Sequence, residues 1–309
     1  MTGLRLATRS DAEDRAYRLR AAESVGEGVA RVARGRIDNA LDELRGRTGR
    51  GTVEAIHESR KDVKKLRALL RLVRGGLPEA TFRTENVALR DIGRGLSGVR
   101  DADVMLATLD GLEERYPGEL PPDAAGGLRQ ALEANRRSVR SRGSEGTAAQ
   151  ALADVRVRVE SWVPSARGFD DVAGGLRRTY RDGRRAQAAA TSDPSTELLH
   201  DWRKRVKDHW YHLTLLREAW PNLLSPLAGA AHDLSVALGD EHDLGVLTAY
   251  AREHVSGLDG LDEMAALTSR RQRELRSDAF GLGARLYADR PRDFTRRMGT
   301  LWIVWRPGE

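Results

Sequence analysis

Apolar residues recur every three or four positions along nearly the whole chain, which is the spacing of amphipathic helices. Glycine and proline interrupt this pattern, and they mark where helices end. The predicted helices span roughly 15–46, 52–74, 80–115, 123–142, 147–161, 170–190, 195–219, 222–256, 261–288 and 291–305. No segment keeps the two-residue alternation of a strand, so the pattern predicts an all-α protein.

The second half of the sequence repeats the first. The segment HESRKDVKKLRALLRLVR begins at His57, and HDWRKRVKDHWYHLTLLR begins 143 residues later at His200. Both read H-x-x-R-K-x-x-K. A second pair of similar segments places Asp101 and Asp243 142 residues apart. Two patterns at nearly one offset predict a duplicated helical bundle. The predicted units, within one domain covering 1–309, are repeat one at 15–165 and repeat two at 166–309.

Composition narrows the chemistry that the chain can support. Hydrophobic residues make up 40% of the chain, enough for a core, and charged residues make up 32%, enough to solvate one face of most helices. There are no cysteines, which excludes disulfides, thiolate nucleophiles and zinc-thiolate sites. We find no apolar secretory segment and no apolar run of membrane-spanning length, so we expect a cytoplasmic protein without a membrane partner.

The repeated motif places positive charge on one side of a helix. At 3.6 residues per turn, basic and polar residues of each copy share one face and apolar residues share the other. The polar face of the first copy carries His57, Arg60, Lys61, Lys64, Arg67 and Arg71. The polar face of the second copy carries His200, Arg203, Lys204, Lys207 and Tyr211.

Such a row of one sign is unfavourable unless an anion neutralises it, because like charges at this spacing repel each other. The net charge of the whole chain is only +6, so the excess matters mainly where it clusters. Arginine binds phosphate through forked hydrogen bonds, and lysine acts as a mobile point charge. Recurrence of the row in both repeats therefore favours a site for a polyanion over a merely solvated face.

Other predicted helices carry further cations that could converge on the same groove. These candidates are Arg31, Arg34, Arg136, Arg140, Arg177, Arg181, Arg184 and Arg273.

The doubled H-x-x-R-K-x-x-K motif, with a later R/H-D-x-x-V element, resembles the CHAD family, the conserved histidine α-helical domain. The resemblance extends over roughly residues 15–305. It implies a fold of two four-helix bundles related by pseudo-twofold symmetry. It also implies that basic residues line a central surface that binds inorganic polyphosphate, and that the protein associates with polyphosphate granules.

By this resemblance the motif positions His57, Arg60, Lys61, Lys64, His200, Arg203, Lys204 and Lys207 form the binding core. Many family members also carry a catalytic triphosphate-tunnel domain with a Glu-x-Glu-x-Lys signature. We find no such signature here, so we expect a binding protein that is not an enzyme and needs no cofactor.

A metal-dependent phosphohydrolase is the enzymatic alternative. His-Asp dipeptides begin at His200, His232 and His242, and such pairs ligate metals in all-α phosphohydrolases of the HD type. The counterparts of His232 and His242 in repeat one are Arg90 and Arg100, which cannot ligate a metal. The property shared by the two repeats is positive charge, which favours anion binding.

Nucleic-acid binding is the other alternative. Proteins that bind single strands interleave aromatic residues with cations so that bases can stack. The basic rows contain almost no aromatic residues, apart from Tyr211 and the neighbouring Trp210. A ligand with phosphates but no bases fits this pattern better.

Overall fold

The structure is a computed structural model that describes residues 13–96, 101–139, 145–162, 165–255 and 257–307. Within these ranges the chain forms eleven α-helices and no strand, which confirms the predicted all-α class. The helices are α1 (Val25–Leu44), α2 (Thr52–Leu72), α3 (Glu79–Gly95), α4 (Asp101–Arg115), α5 (Pro122–Val139), α6 (Glu145–Arg158), α7 (Asp170–Ser192), α8 (Thr196–Leu216), α9 (Pro221–His254), α10 (Leu261–Leu286) and α11 (Pro291–Trp305). No helix in the described ranges is both long enough and apolar enough to cross a bilayer.

The first helix begins later than predicted, at Val25 instead of about residue 15. Ser24 adopts an extended backbone and caps the helix, and Glu27 returns a hydrogen bond to the backbone of Ser24 at 2.8 Å. This reciprocal capping box satisfies amide groups that a longer helix would have to bond internally. The preceding residues instead pack on the second half of the chain, where the buried Leu19 donates its backbone N–H to the carbonyl of Leu215 at 3.0 Å.

The prediction of one continuous helix over 80–115 was wrong. The structure has two helices, α3 ending at Gly95 and α4 beginning at Asp101, and residues 97–100 lie outside the described ranges. The corresponding part of the second half is α9, which runs unbroken for 34 residues. The two halves of the chain therefore differ in helix number despite their similar motifs.

Two groups of buried residues hold the helices together. The larger core draws on every helix except α5, and it crosses the predicted boundary between the repeats. The smaller core joins α4 and α5 to the second half of α9 and the start of α10. Helices α1, α2, α3 and α6 contact one another around part of the larger core. The predicted division into two four-helix bundles by duplication stays a prediction.

Helices α2 and α8, which carry the two motif copies, contact each other directly. The buried His212 donates from Nε2 to the backbone carbonyl of Ala68 at 2.8 Å. Helix α7 also packs on the end of α2, where a Cβ added to Gly175 would lie 1.8 Å from the carbonyl oxygen of Leu72. The fold thus packs the two motif helices and α7 against one another.

Candidate functional site

The basic row of α2 lies along α3. Arg60, Lys64, Arg67 and Arg71 are spaced three or four residues apart, so they share one face of the helix. Arg60 Nη1 donates to the carbonyl of Leu96 at 2.9 Å, and Arg67 Nη2 approaches Oδ1 of Asn86 on α3 at 3.4 Å. These two contacts orient the row toward the groove between α2 and α3.

Four guanidinium groups come together in this groove: Arg67, Arg71, Arg90 and Arg94. We call them the α2/α3 arginine cluster. The pKa of Arg67 is lowered to about 10, first by burial and then by the positive charges of Arg71, Arg90 and Arg94, against the opposing effect of Asp208. A guanidinium that is made less basic by its neighbours marks a place where the protein concentrates positive potential.

Carboxylates neutralise part of the row, which corrects the expectation of a face without acids. Lys61 Nζ lies 2.9 Å from Oε2 of Glu58, and Nε2 of His57 lies 3.9 Å from Oε1 of the same residue. Arg71 Nη1 pairs with Oδ1 of the buried Asp208 on α8 at 2.7 Å. On α3, Arg90 donates from Nε and Nη2 to the two carboxylate oxygens of Asp91 at 2.8 and 3.1 Å, and Nη1 of Arg94 lies 4.0 Å from Oδ1 of the same residue.

The second motif copy builds a different arrangement, in which two histidine rings meet. The rings of His200 on α8 and His242 on α9 have centroids 4.6 Å apart. The pKa of His200 is lowered to about 4, first by burial and then by the charges of Lys204, His242 and Arg203. We call His200, Arg203, Lys204 and His242 the α8/α9 histidine cluster. As in the first half, the fold places cationic donors in the groove beside the following helix.

Close packing fixes the orientation of Arg203 within this cluster. A Cβ added to Gly239 on α9 would lie 3.0 Å from Nη2 of Arg203, so glycine lets the guanidinium lie against the α9 backbone. Lys204 pairs with Asp201 one turn earlier, with Nζ and Oδ1 2.9 Å apart. Because both groups of this pair are about half exposed, water screens it and it restrains Lys204 only weakly.

Asp208 links the two motif helices. Besides its contact with Arg71, its Oδ2 lies 3.8 Å from Nη1 of Arg205 on its own helix. Arg71 of the α2/α3 arginine cluster and Arg205 of α8 thus lie beside one buried carboxylate, whose charge also acts on Arg67. The four arginines of the cluster and Arg205 outnumber the described acids that interact with them, which are Asp208, Asp91 and Asp201. The crossing of α2 and α8 therefore retains an excess of positive charge.

Three predicted site residues are poorly placed to contact a ligand. Arg31 is buried, pairs with Glu23 at 2.6 Å and donates to three backbone carbonyls. Tyr211 is buried, stacked on Trp210, with a ring centroid distance of 4.7 Å. Arg34 donates from Nη1 to both carboxylate oxygens of Glu160, at 2.7 and 2.8 Å. Each of these side chains already satisfies its polar or apolar surface within the fold, which sequence spacing did not reveal.

The remaining candidates are dispersed over other helices. Arg177, Arg181 and Arg184 lie exposed on α7, and Arg181 pairs with Asp182. Arg136 lies 3.6 Å from Asp103, and Arg273 is exposed on α10. Arg140 lies outside the described residues. Lys64 and Lys207 are partly buried on the motif helices.

Sequence reasoning missed three side chains of the two clusters. Arg90 and Arg94 are one turn apart on α3, and the ring of His242 on α9 contacts that of His200 on α8. The signal for Arg90 and His242 was present, because they occupy the R/H-D elements that recur after each motif. Arg94 has no basic counterpart in the second half, where the equivalent position is Val236. Only the packing of α3 on α2 shows that Arg94 belongs to the cluster.

Two of the three His-Asp dipeptides come together, since the ring centroids of His200 and His242 are 4.6 Å apart. In the described part of the chain, no group of three or more histidine, aspartate or glutamate side chains is arranged to hold a metal ion. His232 lies 3.6 Å from Asp233 and packs its ring on Trp210 at 4.4 Å.

The chain was compared with protein families and with solved structures. The family profile of the CHAD domain matches residues 31–252. The chain belongs to the CHAD domain family. The matched region begins in α1 and ends in α9, so it contains both motif helices and both clusters.

Two solved structures share the fold of this CHAD domain. The CHAD domain from the plant Ricinus communis superposes with a TM-score of 0.62 at 17% sequence identity, covering 89% of this chain and 95% of that one. PptA from Streptomyces chartreusis superposes with a TM-score of 0.60, also at 17% identity, covering 86% of this chain and 100% of that one. No significant match was found among curated proteins. At this identity the structural similarity establishes the fold alone.

Proposed function

We propose that this CHAD domain binds inorganic polyphosphate in the grooves beside α2 and α8, and that it acts as a binding protein and not as a catalyst. The observation that carries the proposal is the position of Arg67, which is partly buried among Arg71, Arg90 and Arg94. Gathering like charges costs stability, and a bound polyanion would relieve that cost. Membership of the CHAD family supports the same ligand.

The geometry supports capture of successive phosphates by different donors. Arg67 and Arg94 would supply forked hydrogen bonds in the α2/α3 groove, and Arg90, whose Nε and Nη2 pair with Asp91, would add a further donor there. Lys204 and Arg203 would supply donors in the α8/α9 groove. Each phosphate that is neutralised releases counterions, so affinity should fall steeply with salt. A chain long enough to reach both clusters should bind more tightly than one that occupies a single cluster.

The arrangement of aromatic side chains favours a ligand without bases. Tyr211 is buried, and the ring of Trp210 already contacts the rings of Tyr211 and His232, at centroid distances of 4.7 and 4.4 Å. Neither ring is available as a platform for a nucleobase, which single-strand binding requires. Inorganic polyphosphate needs only the phosphate contacts that the clusters can supply.

A titration at fixed salt tests the choice of ligand. Long polyphosphate and single-stranded DNA are compared at equal phosphate concentration, and we expect polyphosphate to bind at least tenfold more tightly. Equal affinities, or tighter binding of DNA, would reject polyphosphate as the preferred ligand. Incubation of the protein with polyphosphate, followed by sizing of the chains on a gel, tests the non-catalytic part of the proposal, since shortened chains would contradict it.

Three substitutions test the assigned surface. The variant R67A/R94A/K204A removes one charge from each side of the α2/α3 groove and one from the α8/α9 histidine cluster. We expect the slope of log affinity against log salt to fall by about 2 to 3, since each lost phosphate contact contributes roughly 0.7 to 0.9. The control R47A/R115A/R252A removes the same charge from other parts of the chain and should keep most of the slope. Equal effects of the two variants would show that net charge matters and the clusters do not.

Association with polyphosphate granules, which the family resemblance implies, is a separate part of the proposal. A fluorescent fusion of the chain should colocalise with granules in cells that accumulate polyphosphate, and R67A/R94A/K204A should lose that colocalisation. Retention of the variant at granules would show that another surface recruits the protein.

A further inference from the structure

A second concentration of arginines lies apart from the two motif clusters, in a cleft between α7 and the start of α11. The cleft has a volume of about 700 Å³. Its lining includes five arginines and one acid: Arg177, Arg181, Arg184, Arg290, Arg292 and Asp293. Arg290 and Arg292 belong to no motif, and their role follows only from this tertiary arrangement.

Most of the positive charge in this cleft is not neutralised within the described residues. Arg181 pairs with Asp182, but Arg177, Arg184, Arg290 and Arg292 form no ion pair with a described carboxylate. The acids on the α11 side are already engaged by other arginines. Asp293 pairs with Arg296 at 2.9 Å, and Asp289 pairs with Arg297 at 2.8 Å.

The cleft is held in shape by contacts beneath the arginines. The Tyr180 hydroxyl on α7 lies 3.2 Å from the carbonyl oxygen of Leu286 and 3.3 Å from that of Asp289, in the connection between α10 and α11. The ring of Tyr180 stacks on Phe294 in the first turn of α11, with centroids 4.2 Å apart. These contacts set Arg290, at the end of the connection, and Arg292, in the first turn of α11, opposite the arginine row of α7. Positive charge also accumulates there because the amino end of α11 contributes a partial positive charge.

Arg74 and Arg178 connect this cleft to the motif surface. Arg74 lies in the short 3₁₀ turn that follows α2, and the close approach of Gly175 to Leu72 brings α7 against that turn. Burial lowers the pKa of Arg178, and the charges of Arg74, Arg181 and Arg177 lower it further. Cations therefore continue from Arg71 at the end of α2, past Arg74 and Arg178, to the cleft.

We infer that the cleft between α7 and α11 is a second phosphate-binding site, which holds the distal part of a polyphosphate chain whose other part lies on the α2/α3 arginine cluster. The inference rests on the proposed function and adds a length requirement to it. A chain of a few phosphates can occupy one site, whereas a long chain can occupy both and gain from the high effective concentration of the second binding event.

The test compares long polyphosphate with tripolyphosphate on the full chain and on R184A/R290A/R292A. We expect the variant to bind long polyphosphate at least tenfold more weakly, with a salt slope smaller by about 2 to 3. Its affinity for tripolyphosphate should change less than threefold, because the α2/α3 arginine cluster is intact. The charge-matched control R47A/R115A/R252A should keep most of the affinity for long chains.

The outcomes separate this inference from the proposed function. If the unaltered protein binds long polyphosphate and R184A/R290A/R292A binds it equally well, the cleft is not a site, although the proposed function stands. Equal losses for long and short ligands would show that the cleft does not extend a chain bound elsewhere. Failure of the unaltered protein to bind either ligand would reject both proposals. The variant R184E/R292E, which reverses two exposed charges, provides an independent check and should lose more affinity for long chains than the alanine variant.

Discussion

At the scale of single residues, the charged side chain of Arg67 lies in surroundings that lower the stability of the fold. Burial and three neighbouring arginines lower its pKa to about 10, so the charged form is held in unfavourable surroundings. Among the described residues, its guanidinium makes a long hydrogen bond of 3.4 Å to Oδ1 of Asn86. Residues of this kind often trade stability for function, because the missing compensation is supplied by a ligand.

We therefore predict that Arg67→Met separates stability from binding. Methionine keeps most of the packing and removes the charge, so the free energy of unfolding in urea should be unchanged or higher by as much as about 1 kcal/mol. Affinity for polyphosphate should fall roughly tenfold, because one charge-assisted contact is lost. Arg47→Met, at an exposed position beside α1, should alter neither quantity. A clear loss of stability in Arg67→Met would mean that the guanidinium is primarily structural.

His200 provides a second residue-scale prediction. Its pKa of about 4 in the folded protein lies below the usual value near 6.5, so the ring should remain neutral at pH 6 without ligand. Polyphosphate should raise this pKa, and binding should therefore take up protons as the pH falls toward 4. The measurement is an NMR titration of the ring signals with and without polyphosphate, with His200→Gln used for assignment. His242→Gln should raise the His200 pKa, and a ligand-free value near 6.5 would contradict the described surroundings.

At the scale of elements, the functional surface depends on how closely α7, α2 and α8 pack. Helices α2 and α8 are joined by the His212 contact with Ala68 and by the pair between Arg71 and Asp208. Helix α7 touches the end of α2 through backbone, which only the absence of a side chain at Gly175 permits. The positions of the arginines on α7 relative to Arg74 follow from that contact.

The neighbouring glycines of α7 make this testable. Gly175→Ala places a methyl group 1.8 Å from the carbonyl of Leu72, so we expect a loss of about 3 kcal/mol or more in the free energy of unfolding. A Cβ added to Gly174 would have no heavy atom within 4 Å. Gly174→Ala should therefore raise the free energy of unfolding by about 0.5 to 1 kcal/mol, because alanine favours a helix. Urea denaturation of both variants gives the comparison. Similar stabilities for the two would show that α7 does not approach α2 as closely as described.

At the scale of the whole molecule, neutral imidazole is part of the core. His209 on α8 is fully buried beside the rings of Tyr180, Tyr287 and Phe294, which come from α7, from the connection after α10 and from α11. Burial, with a smaller contribution from His212, lowers its pKa to about 3. Burial also lowers the pKa of His212.

These histidines should make the folded state sensitive to mild acid. The unfolded chain binds protons near pH 6.5 and the folded chain does not, so the stabilising effect is complete above that pH and is lost as the pH falls toward 3. We predict that His209→Phe lowers the slope of unfolding free energy against pH, between pH 5 and 6, by about 1 kcal/mol per pH unit. Carboxylates contribute little in that range, since most titrate lower. His254→Gln, which removes an exposed ring on α9, is the control, and equal slopes for His209→Phe and the unaltered protein would show that His209 is not the buried neutral group.

Much of this molecule could be predicted from its sequence. Helix positions followed from the apolar period, and the family followed from the doubled motif around His57 and His200. The start of α1 could also have been found, since Ser24 and Glu27 spell a capping box that the longer apolar pattern concealed. These properties depend on residues close together in the sequence, so local physics is sufficient to fix them.

What the tertiary structure decided is which cations are accessible and which are already paired. Arg31 and Arg34 look alike in the sequence, yet Arg31 is buried on Glu23 and Arg34 pairs with Glu160, more than a hundred residues away. Arg290 and Arg292 belong to no sequence motif, yet they line one cleft with the arginines of α7. The energy of a charge depends on its burial and on every charge within a few ångströms. Those distances are set by the packing of distant helices, and the spacing of residues along the chain does not contain them.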